Sequence, residues 1–493
     1  MQRYTHALLA SAVAAGLVAC GGSSGSNSSA NPSPTPTAAP TATPAPTATP
    51  TPAPTPAPTA CSESFVNCSG NTAFLVGTID KDFTLTAGVN WVISGTVTVG
   101  EGNEPIADND EAQALKDNGV TLTVEPGTDV RATGNGILVV TRGSKMNAAG
   151  TRENPITFSS VDEDFDGLSE WGGVVLQGFA LQFGAGGTGP CNQPGDTFCN
   201  LAGEGGVGFF GGTDDADNSG IIRYVRIAEG GLVAGPADEV NGLTLQGVGH
   251  GTTIEYVQVH NNLDDGVEWF GGTVNAKYLV LTGNDDDDID FDEGWRGNVQ
   301  YAIVAKSPNA SPVGGNDPRG IEANSSDEDY VEETNGALAN ITIIGNNVNN
   351  FDGGEPGMRL RGALTVAIYN TAVTDFDRGC VRIDDADTPD GTFFSDVSFT
   401  NVFGSCVGGF YEPNRDGPAD PEVNSGAQAI SFDSALAITE SFAELGAATA
   451  IPAVDNGSGF AFDATDYVGA VEPGTAEADA WWNGWIIPGS LPQ

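Results

Sequence analysis

Six short segments of the sequence carry a polar or charged residue at the same place between two apolar residues. They read GLTLQG, GVEWFG, DIDFDE, GIEANS, GMRLRG and CVRIDD, and they begin at residues 242, 266, 288, 320, 357 and 380. Because side chains alternate along a β-strand, the polar residues of stacked parallel strands would line one outer face. That row is Thr244, Glu268, Asp290, Glu322, Arg359 and Arg382, and beside it stand Phe270, Asp292, Asn324, Arg361 and Asp384.

A cation is the chemistry that this row favours. Carboxylates on neighbouring strands lie about 4.8 Å apart, and they repel one another by several kcal/mol where the effective dielectric constant is low. Calcium takes six to eight oxygen ligands and is served by carboxylates. The sequence therefore predicts a calcium site whose ligands are Glu268, Asp290, Asp292 and Glu322. In the alternative interpretation, the arginines of the following strands neutralise the acids and the row is structural.

A second candidate for calcium is the segment DEDFDG. Asp162, Asp164 and Asp166 precede Gly167, as in the first half of an EF-hand loop. The twelfth position of such a loop holds Gly173 instead of an acidic ligand. A plain acidic turn therefore fits this segment equally well.

Aromatic residues near the row suggest a ligand surface, because aromatic rings stack on sugars. Alternation turns Trp269 and Phe291 inward, where they would pack in a core. Phe270 and Trp295 remain as candidate exposed platforms, and Arg361 is the third candidate ligand contact.

A repeat indicates the fold that would stack these strands. Its pattern is apolar, any, Tyr/Asn/Asp, mostly aliphatic, any, apolar, and its copies begin at Ile222, Ile254, Ala276, Val299, Leu338, Ile368 and Phe394. A straight strand cannot turn the first, fourth and sixth places to one side, but a bend at the second and third residues can. The bend would carry the ladder Tyr224, Tyr256, Tyr278, Tyr301, Asn340, Asn370 and Asp396. Such repeats are typical of solenoids, so the sequence predicts an all-β fold, a parallel β-helix.

The β-helix is expected to span residues 61–427. A polar excursion with a possible helix interrupts it at 101–119. Residues 428–493 lose the repeat and are predicted to close the last coil as a C-terminal cap, with a helix in the Ala-rich stretch 427–446. Trp481, Trp482 and Trp485 are expected to plug this cap.

The N-terminus is predicted to be a processing signal and a lipid anchor. Residues 1–19 combine Arg3 with a short apolar run, and Leu17-Val18-Ala19-Cys20 resembles a bacterial lipobox. Lipidation of Cys20 would attach the chain to a membrane, and Gly21 in place of Asp suggests the outer membrane. Residues 20–60 are rich in Gly, Ser, Pro and Thr, which predicts an extended tether.

The six remaining cysteines fall in local pairs, which in an exported protein predicts three disulfides. The pairs are Cys61 with Cys68, Cys191 with Cys199, and Cys380 with Cys406. The formal net charge of −47 excludes a general affinity for nucleic acid or anionic lipid surfaces. With three histidines in all, a histidine-rich metal site is excluded as well.

Several segments resemble the pectin-lyase-like superfamily of right-handed parallel β-helices, and more closely bacterial outer-membrane lipoproteins of that fold, including a leptospiral one. They include TLTVEPGT, GILVVTRGSKMNAAGT, EWGGVVLQG, GLTLQGVGHGT, DDGVEWFGGTVNAKYLV, GWRGNVQY and DYVGAVEPGT. The superfamily contains polysaccharide lyases that combine calcium with an arginine or lysine base, and hydrolases that use aspartate triads. By residue type, the resemblance implies Arg359, Arg382, Asp290 and Glu322 as catalytic candidates. His250 precedes Asp285–Asp288, which inverts the hydrolase order.

Three functions follow as hypotheses. The first is a surface lipoprotein, anchored to the outer membrane at Cys20, whose calcium-stabilised β-helix binds a ligand or partner without catalysis. Its partner would be a polysaccharide or a transport or adhesion complex. The second is a calcium-dependent polysaccharide lyase or glycosidase that acts in the outer groove. The third is a purely structural surface or adhesin component.

Overall fold

The computed structural model describes residues 60–162, 164–183, 200–235, 238–307, 316–325, 333–345, 354–384, 395–412, 424–429 and 444–492. These residues all belong to one compact unit within Pro54–Gln493. No helix among them is long and apolar enough to span a bilayer.

The described strands form a parallel β-helix, as predicted, with three faces per coil. Within the described residues, one hydrogen-bonded sheet of 26 strands runs through the faces. The first face contains Ile137–Val140, Val174–Gln177, Leu243–Gln246, Val267–Phe270, Ile289–Asp292, Ile321–Asn324, Met358–Arg361, Val381–Asp384 and Tyr411–Glu412. Each of these strands pairs in parallel with the next.

The second and third faces are often two halves of one bent strand. The long strands are Gly220–Ala228, Thr253–His260, Ala276–Thr282, Arg296–Ala305, Asn335–Ile344 and Asp396–Ser405. Shorter strands on the second face are Phe83–Leu85, Thr121–Val124, Lys145–Ala149 and Thr365–Tyr369, and on the third face Asp129–Ala132, Ile156–Ser160 and Ala372–Thr374. Asn424–Ala429 pairs with the last long strand.

The bend between these two faces lies at the predicted residues in six of the seven copies. Tyr224, Tyr256 and Tyr278 have φ of 50°, 54° and 63°, a left-handed conformation that bulky residues rarely adopt. Stacking offsets this cost, because successive tyrosine rings lie 4.4 and 4.3 Å apart between centroids. The first, fourth and sixth places of the repeat then point into one core, as Ile222, Val225 and Ile227 do.

The seventh copy of the repeat was assigned to the wrong register. Its predicted start, Phe394, lies outside the described residues, and Asp396 pairs with Thr365 at the beginning of the coil. The ladder continues instead at Asn401, whose side-chain amide donates to Asn370 Oδ1 at 3.0 Å and whose φ is 55°.

The first coils are less regular. A short antiparallel pair, Val66–Ser69 and Thr72–Ile79, follows the 3-10 turn Ala60–Ser62, and Thr72–Ile79 pairs in parallel with Asn90–Val99. The predicted polar excursion contains the helix Asn109–Asn118, which begins after Asp108 because the Asp108 carboxylate accepts from two free amides. Disulfides join Cys61 to Cys68 and Cys380 to Cys406, as predicted. Cys191 and Cys199 lie outside the described residues.

Where it is described, the C-terminal segment differs from two predictions. The predicted helix over 427–446 begins and ends in the strands Asn424–Ala429 and Glu444–Thr449, and the residues between them lie outside the described part. Glu444–Thr449 pairs with Thr465–Tyr467, and a 3-10 turn follows at Glu477–Asp479.

The described part of the C-terminal segment also runs along the sides of the coils, where a cap over the last coil was expected. Trp485 packs on the tyrosine ladder, and Arg226 donates to the carbonyl oxygens of Trp485 and Ile486. The outer side of the third face is apolar at Val280 and Ile303, which explains why a second layer covers it.

Candidate metal centre

The predicted row of polar residues is present on the first face. Strand pairing places Glu268 beside Asp290, and Asp290 beside Glu322. It continues from Glu322 to Arg359 and from Arg359 to Arg382. The β-helix therefore brings together acidic residues that are far apart in the sequence.

The row is less exposed than a bare outer face would be. Glu268 is only 8% exposed. A short hairpin, Leu201–Ala202 with Phe209–Phe210 around the 3-10 turn Glu204–Gly206, covers the start of the row and packs against Phe270. A second pair, Val233–Gly235 with Asp238–Glu239, lies next to that turn. Because of these segments, the row lies in a groove where water screens charge poorly.

A second row lies two residues before each strand and was missed in the sequence. It consists of Asn241, Asp265, Asp287 and Arg319. The Asp287 amide donates to Asp265 Oδ1 at 2.8 Å, and the Arg319 amide donates to Asp287 Oδ1 at 2.9 Å. The Asp265 amide likewise donates to Asn241 Oδ1 at 3.2 Å. Each side chain is thus fixed by the backbone of the next coil.

The acidic zone of the groove consists of Asp264, Asp265, Glu268, Asp290 and Asp292. One carboxylate oxygen each of Asp265, Glu268 and Asp290 lies within 4.8 Å of the other two. Asp264 and Asp265 form a second such group with Asp286. Among the described residues, no lysine or arginine forms a salt bridge with any member of the acidic zone.

Two carboxylate oxygens of the acidic zone form neither a hydrogen bond nor a salt bridge with the described residues. Asp290 Oδ1 and Asp292 Oδ1 are buried and accept no hydrogen bond from the described residues. Buried polar atoms are normally paired, so each such atom requires an explanation. These two oxygens are therefore in place as ligands, and no group of the described residues donates to them.

Burial raises the pKa of four carboxyls in the zone well above their usual range, and neighbouring carboxylates raise it further. These carboxyls are Asp265, Glu268, Asp290 and Asp292. Burial together with Asp286 and Glu239 raises the pKa of Asp264 to about 8. At neutral pH the zone thus carries protons or attracts a cation.

The ion-paired zone, one coil further on, consists of Arg319, Glu322, Arg359, Arg361, Arg382 and Asp384. Arg361 Nε donates to Glu322 Oε1 at 2.7 Å, and Arg319 Nη1 donates to Glu322 Oε2 at 2.8 Å. Burial alone would raise the pKa of Glu322, but Arg319, Arg361 and Arg359 lower it to about 2. Glu322, predicted as a calcium ligand, is therefore already neutralised by guanidinium groups.

Both arginines that the resemblance implied as catalytic candidates are bound to one carboxylate. Arg359 Nε donates to Asp384 Oδ2 at 2.9 Å, and Arg382 Nε lies 2.8 Å from both oxygens of the same carboxylate. A guanidinium in such a pair is a poor proton acceptor. This arrangement disfavours Arg359 and Arg382 as bases.

The other predicted site residues are more scattered. Asp162, Asp164 and Asp166 lie together in one loop, yet they form no group of three converging oxygens of the kind found in the described groove. Trp295 was expected to be an exposed platform, but it is fully buried between Trp269 and Phe291. Its indole donates to the Val274 carbonyl, because the chain turns inward after Gly294.

The chain matches the family described as pectate-lyase-like beta helix domain over residues 109–444. It belongs to that family. This β-helix is also similar to a solved structure, the catalytic domain of a GH87 alpha-1,3-glucanase in complex with tetrasaccharides, at 9% identity and a TM-score of 0.21. That similarity covers 73% of this chain and 64% of the other, so the chain spans less than two thirds of that structure. A search of curated proteins finds none that matches.

Proposed function

We propose that this β-helix binds a calcium ion in the acidic zone and uses the loaded groove to bind an acidic glycan, without catalysis. The ion would be bound by Asp265, Glu268 and Asp290. A single observation carries the proposal: three carboxylate oxygens converge within 4.8 Å, and Asp290 Oδ1 is buried and accepts no hydrogen bond from the described residues.

The neighbours on either side support a cation at this position. In the coil before, the Asn241 side-chain amide donates to Glu268 Oε2 at 2.5 Å. In the coil after, Arg319 neutralises Glu322. Among the described residues, no lysine or arginine forms a salt bridge with Asp265, Glu268 or Asp290, so an ion supplied from solution would provide the missing positive charge.

The ligand chemistry favours calcium among the common cations. The groups that converge are carboxylates, which suit calcium or magnesium better than zinc or copper. Magnesium requires near-octahedral geometry and releases its water reluctantly, whereas calcium accepts irregular sets of six to eight oxygens. A groove with several surplus carboxylates at one rim fits the less demanding ion.

An acidic glycan is proposed as the ligand because the calcium-loaded groove has two neighbouring positive charges. A calcium ion that retains open coordination positions binds carboxylates, and the Arg361 side chain beside it is 39% exposed. The predicted lipid anchor at Cys20 and the tether of residues 20–60 would display this groove outside the cell, at the outer membrane. Phe270 is half-buried beneath the hairpin and contributes one wall.

The experiment measures melting temperature and ligand binding together. Chelator-treated protein should melt several degrees lower than protein with millimolar calcium, and Asp290→Asn should remove that difference. Glu153→Gln, which changes an exposed acid outside the groove, should keep it. Polygalacturonate and alginate should bind only with calcium, and no new unsaturated ends should appear. Melting that ignores chelator would contradict the calcium site, and calcium-dependent formation of unsaturated ends would replace binding by a lyase activity.

A further inference from the structure

The triad of Asp265, Glu268 and Asp290 has a counterpart one coil further on in the strand register. Its three carboxylates come from the position two before the strand, Asp265, and from the second strand position in two successive coils, Glu268 and Asp290. The residues paired with these three on the next coil are Asp287, Asp290 and Glu322. The two triads therefore share Asp290 and occupy equivalent positions, but of the two only the first has three oxygens within 4.8 Å of one another.

The second triad differs from the first because a guanidinium lies against it. Arg319 Nη1 is 3.2 Å from Asp287 Oδ2 and 2.8 Å from Glu322 Oε2. The same side chain also contacts Asp317 at 2.7 Å and Glu355 at 3.2 Å, and it is only 3% exposed. Four carboxylates thus surround one buried cation that the chain itself supplies.

Resting on the proposed calcium site, we infer that Arg319 is a built-in counter-ion that pairs with Asp287 and Glu322 and so excludes a divalent cation from the second triad, leaving the first triad available. The backbone supports this equivalence. The Asp287 amide is bonded to Asp265, and the Arg319 amide is bonded to Asp287, so Arg319 stands in the column where the preceding coils carry carboxylates. An arginine at position 265 would therefore supply the first triad with a guanidinium, as Arg319 does for the second.

Stoichiometry tests this assignment. Calcium titrated into the chelator-treated full-length protein should bind at one groove site in the wild type. Arg319→Gln should raise the number by one, because Asp287 loses the one arginine that it pairs with among the described residues, and Glu322 keeps only the more exposed Arg359 and Arg361. Arg319→Lys should keep the wild-type number, and so should Arg382→Gln, which pairs with Asp384 outside the triad. An unchanged number in folded Arg319→Gln would overturn the inference.

A mirror variant tests the same idea without disturbing Arg319. Asp265→Arg places a guanidinium at the equivalent position of the first triad, and Asp265→Gln is its neutral match. In chelator, Asp265→Arg should melt several degrees above Asp265→Gln, and calcium should leave its melting unchanged. Equal or lower melting of Asp265→Arg would overturn the inference. The two melting temperatures are compared without calcium, so this result tests the role of the guanidinium independently of the proposed calcium site.

Discussion

Adjacent coils of the same groove deal with their carboxylates in different ways. In the ion-paired zone, Glu322 contacts three arginines, and the pKa of its carboxyl falls to about 2. In the acidic zone, Asp290 lies beside Glu322 in the same row, one coil earlier. Its pKa is raised well above the usual range, mainly by burial and next by the negative charge of Glu322. The strand register is the same, so the difference arises from the arginines near Glu322: Arg319 from the preceding turn, and Arg359 and Arg361 from the next strand.

The comparison shows what a parallel β-helix does with charge. Stacking forces like side chains into contact about every 4.8 Å, and each contact needs a donor or a cation. The chain supplies Arg319 to one coil and Asn241 to another, and between them it supplies carboxylates only. A partly compensated row of this kind marks a place where the fold gives up stability, as functional sites often do.

The largest expected effect comes from removing the centre of the ion-paired zone. Glu322→Gln would remove the buried carboxylate that Arg319, Arg359 and Arg361 share, and breaking a buried pair from one side costs about 3–5 kcal/mol. The loss in unfolding free energy should be the same with and without calcium. Denaturant unfolding measures it, with Glu153→Gln as the surface control, and a loss confined to the calcium-free protein would move Glu322 into the metal site.

A substitution in the acidic zone should have the opposite effect on stability. Asp290→Asn removes a repelled carboxylate, so the chelator-treated variant should be more stable than the chelator-treated wild type. The wild type should gain about 2.7 kcal/mol from calcium at one hundred times its dissociation constant, and the variant should gain almost nothing. Destabilisation of the variant in chelator would show that Asp290 has a protein partner.

The two zones should respond to pH with opposite signs. The folded-state pKa of Asp264, about 8, lies above its unfolded value, so its contribution to stability is present at low pH and is lost as pH rises from about 4 to about 8. The folded-state pKa of Glu322 lies below its unfolded value, so its contribution is present above about pH 4.5 and is lost as pH falls towards about 2.

Melting curves test this pH dependence. In chelator, the melting temperature should fall by several degrees between pH 5 and pH 8, and saturating calcium should remove most of that fall. A melting temperature that rises over this range in chelator would mean that the acidic zone is compensated by the protein itself.

The smallest effect is expected at the boundary of the zones. Arg361 bonds to Glu322 and also lowers the pKa of Asp290 by its charge, so it repels a cation in the acidic zone. Arg361→Gln should therefore strengthen calcium binding by a few-fold, and Arg361→Lys should change it less. Titration calorimetry measures both, and weaker binding in Arg361→Gln would place the ion elsewhere.

The fold was open to prediction because its signals are local and repeated. Apolar residues at Ile222, Val225 and Ile227 fit one side only if the strand bends, and the structure bends at Tyr224. The seventh copy failed because Asp396 with Val397 and Phe399 fits the repeat, whereas the true bend at Asn401 is followed by Val402 and Gly404, which lacks the apolar sixth place. The C-terminal segment was misplaced because its contacts, such as Arg226 with Trp485, join distant parts of the chain.

The site was predicted in part for a related reason. Alternation and spacing sufficed to align Glu268, Asp290 and Glu322, since each follows an apolar residue in its strand. They could not predict the salt bridge between Glu322 and Arg319, because the direction of a side chain in a turn depends on the conformation of that turn. The recurrence of DDG, DDDD and PRG just before the strands was a signal for the second row that alternation alone does not capture.

The most direct measurement is the position of an ion in crystals grown with a calcium-mimicking lanthanide, located by its anomalous scattering. One strong peak is expected between the carboxylates of Asp265, Glu268 and Asp290, and no peak between Asp287 and Glu322 while Arg319 is present. A groove without a peak at saturating lanthanide, or a peak on the Arg319 side alone, would rule out a cation site at the first triad.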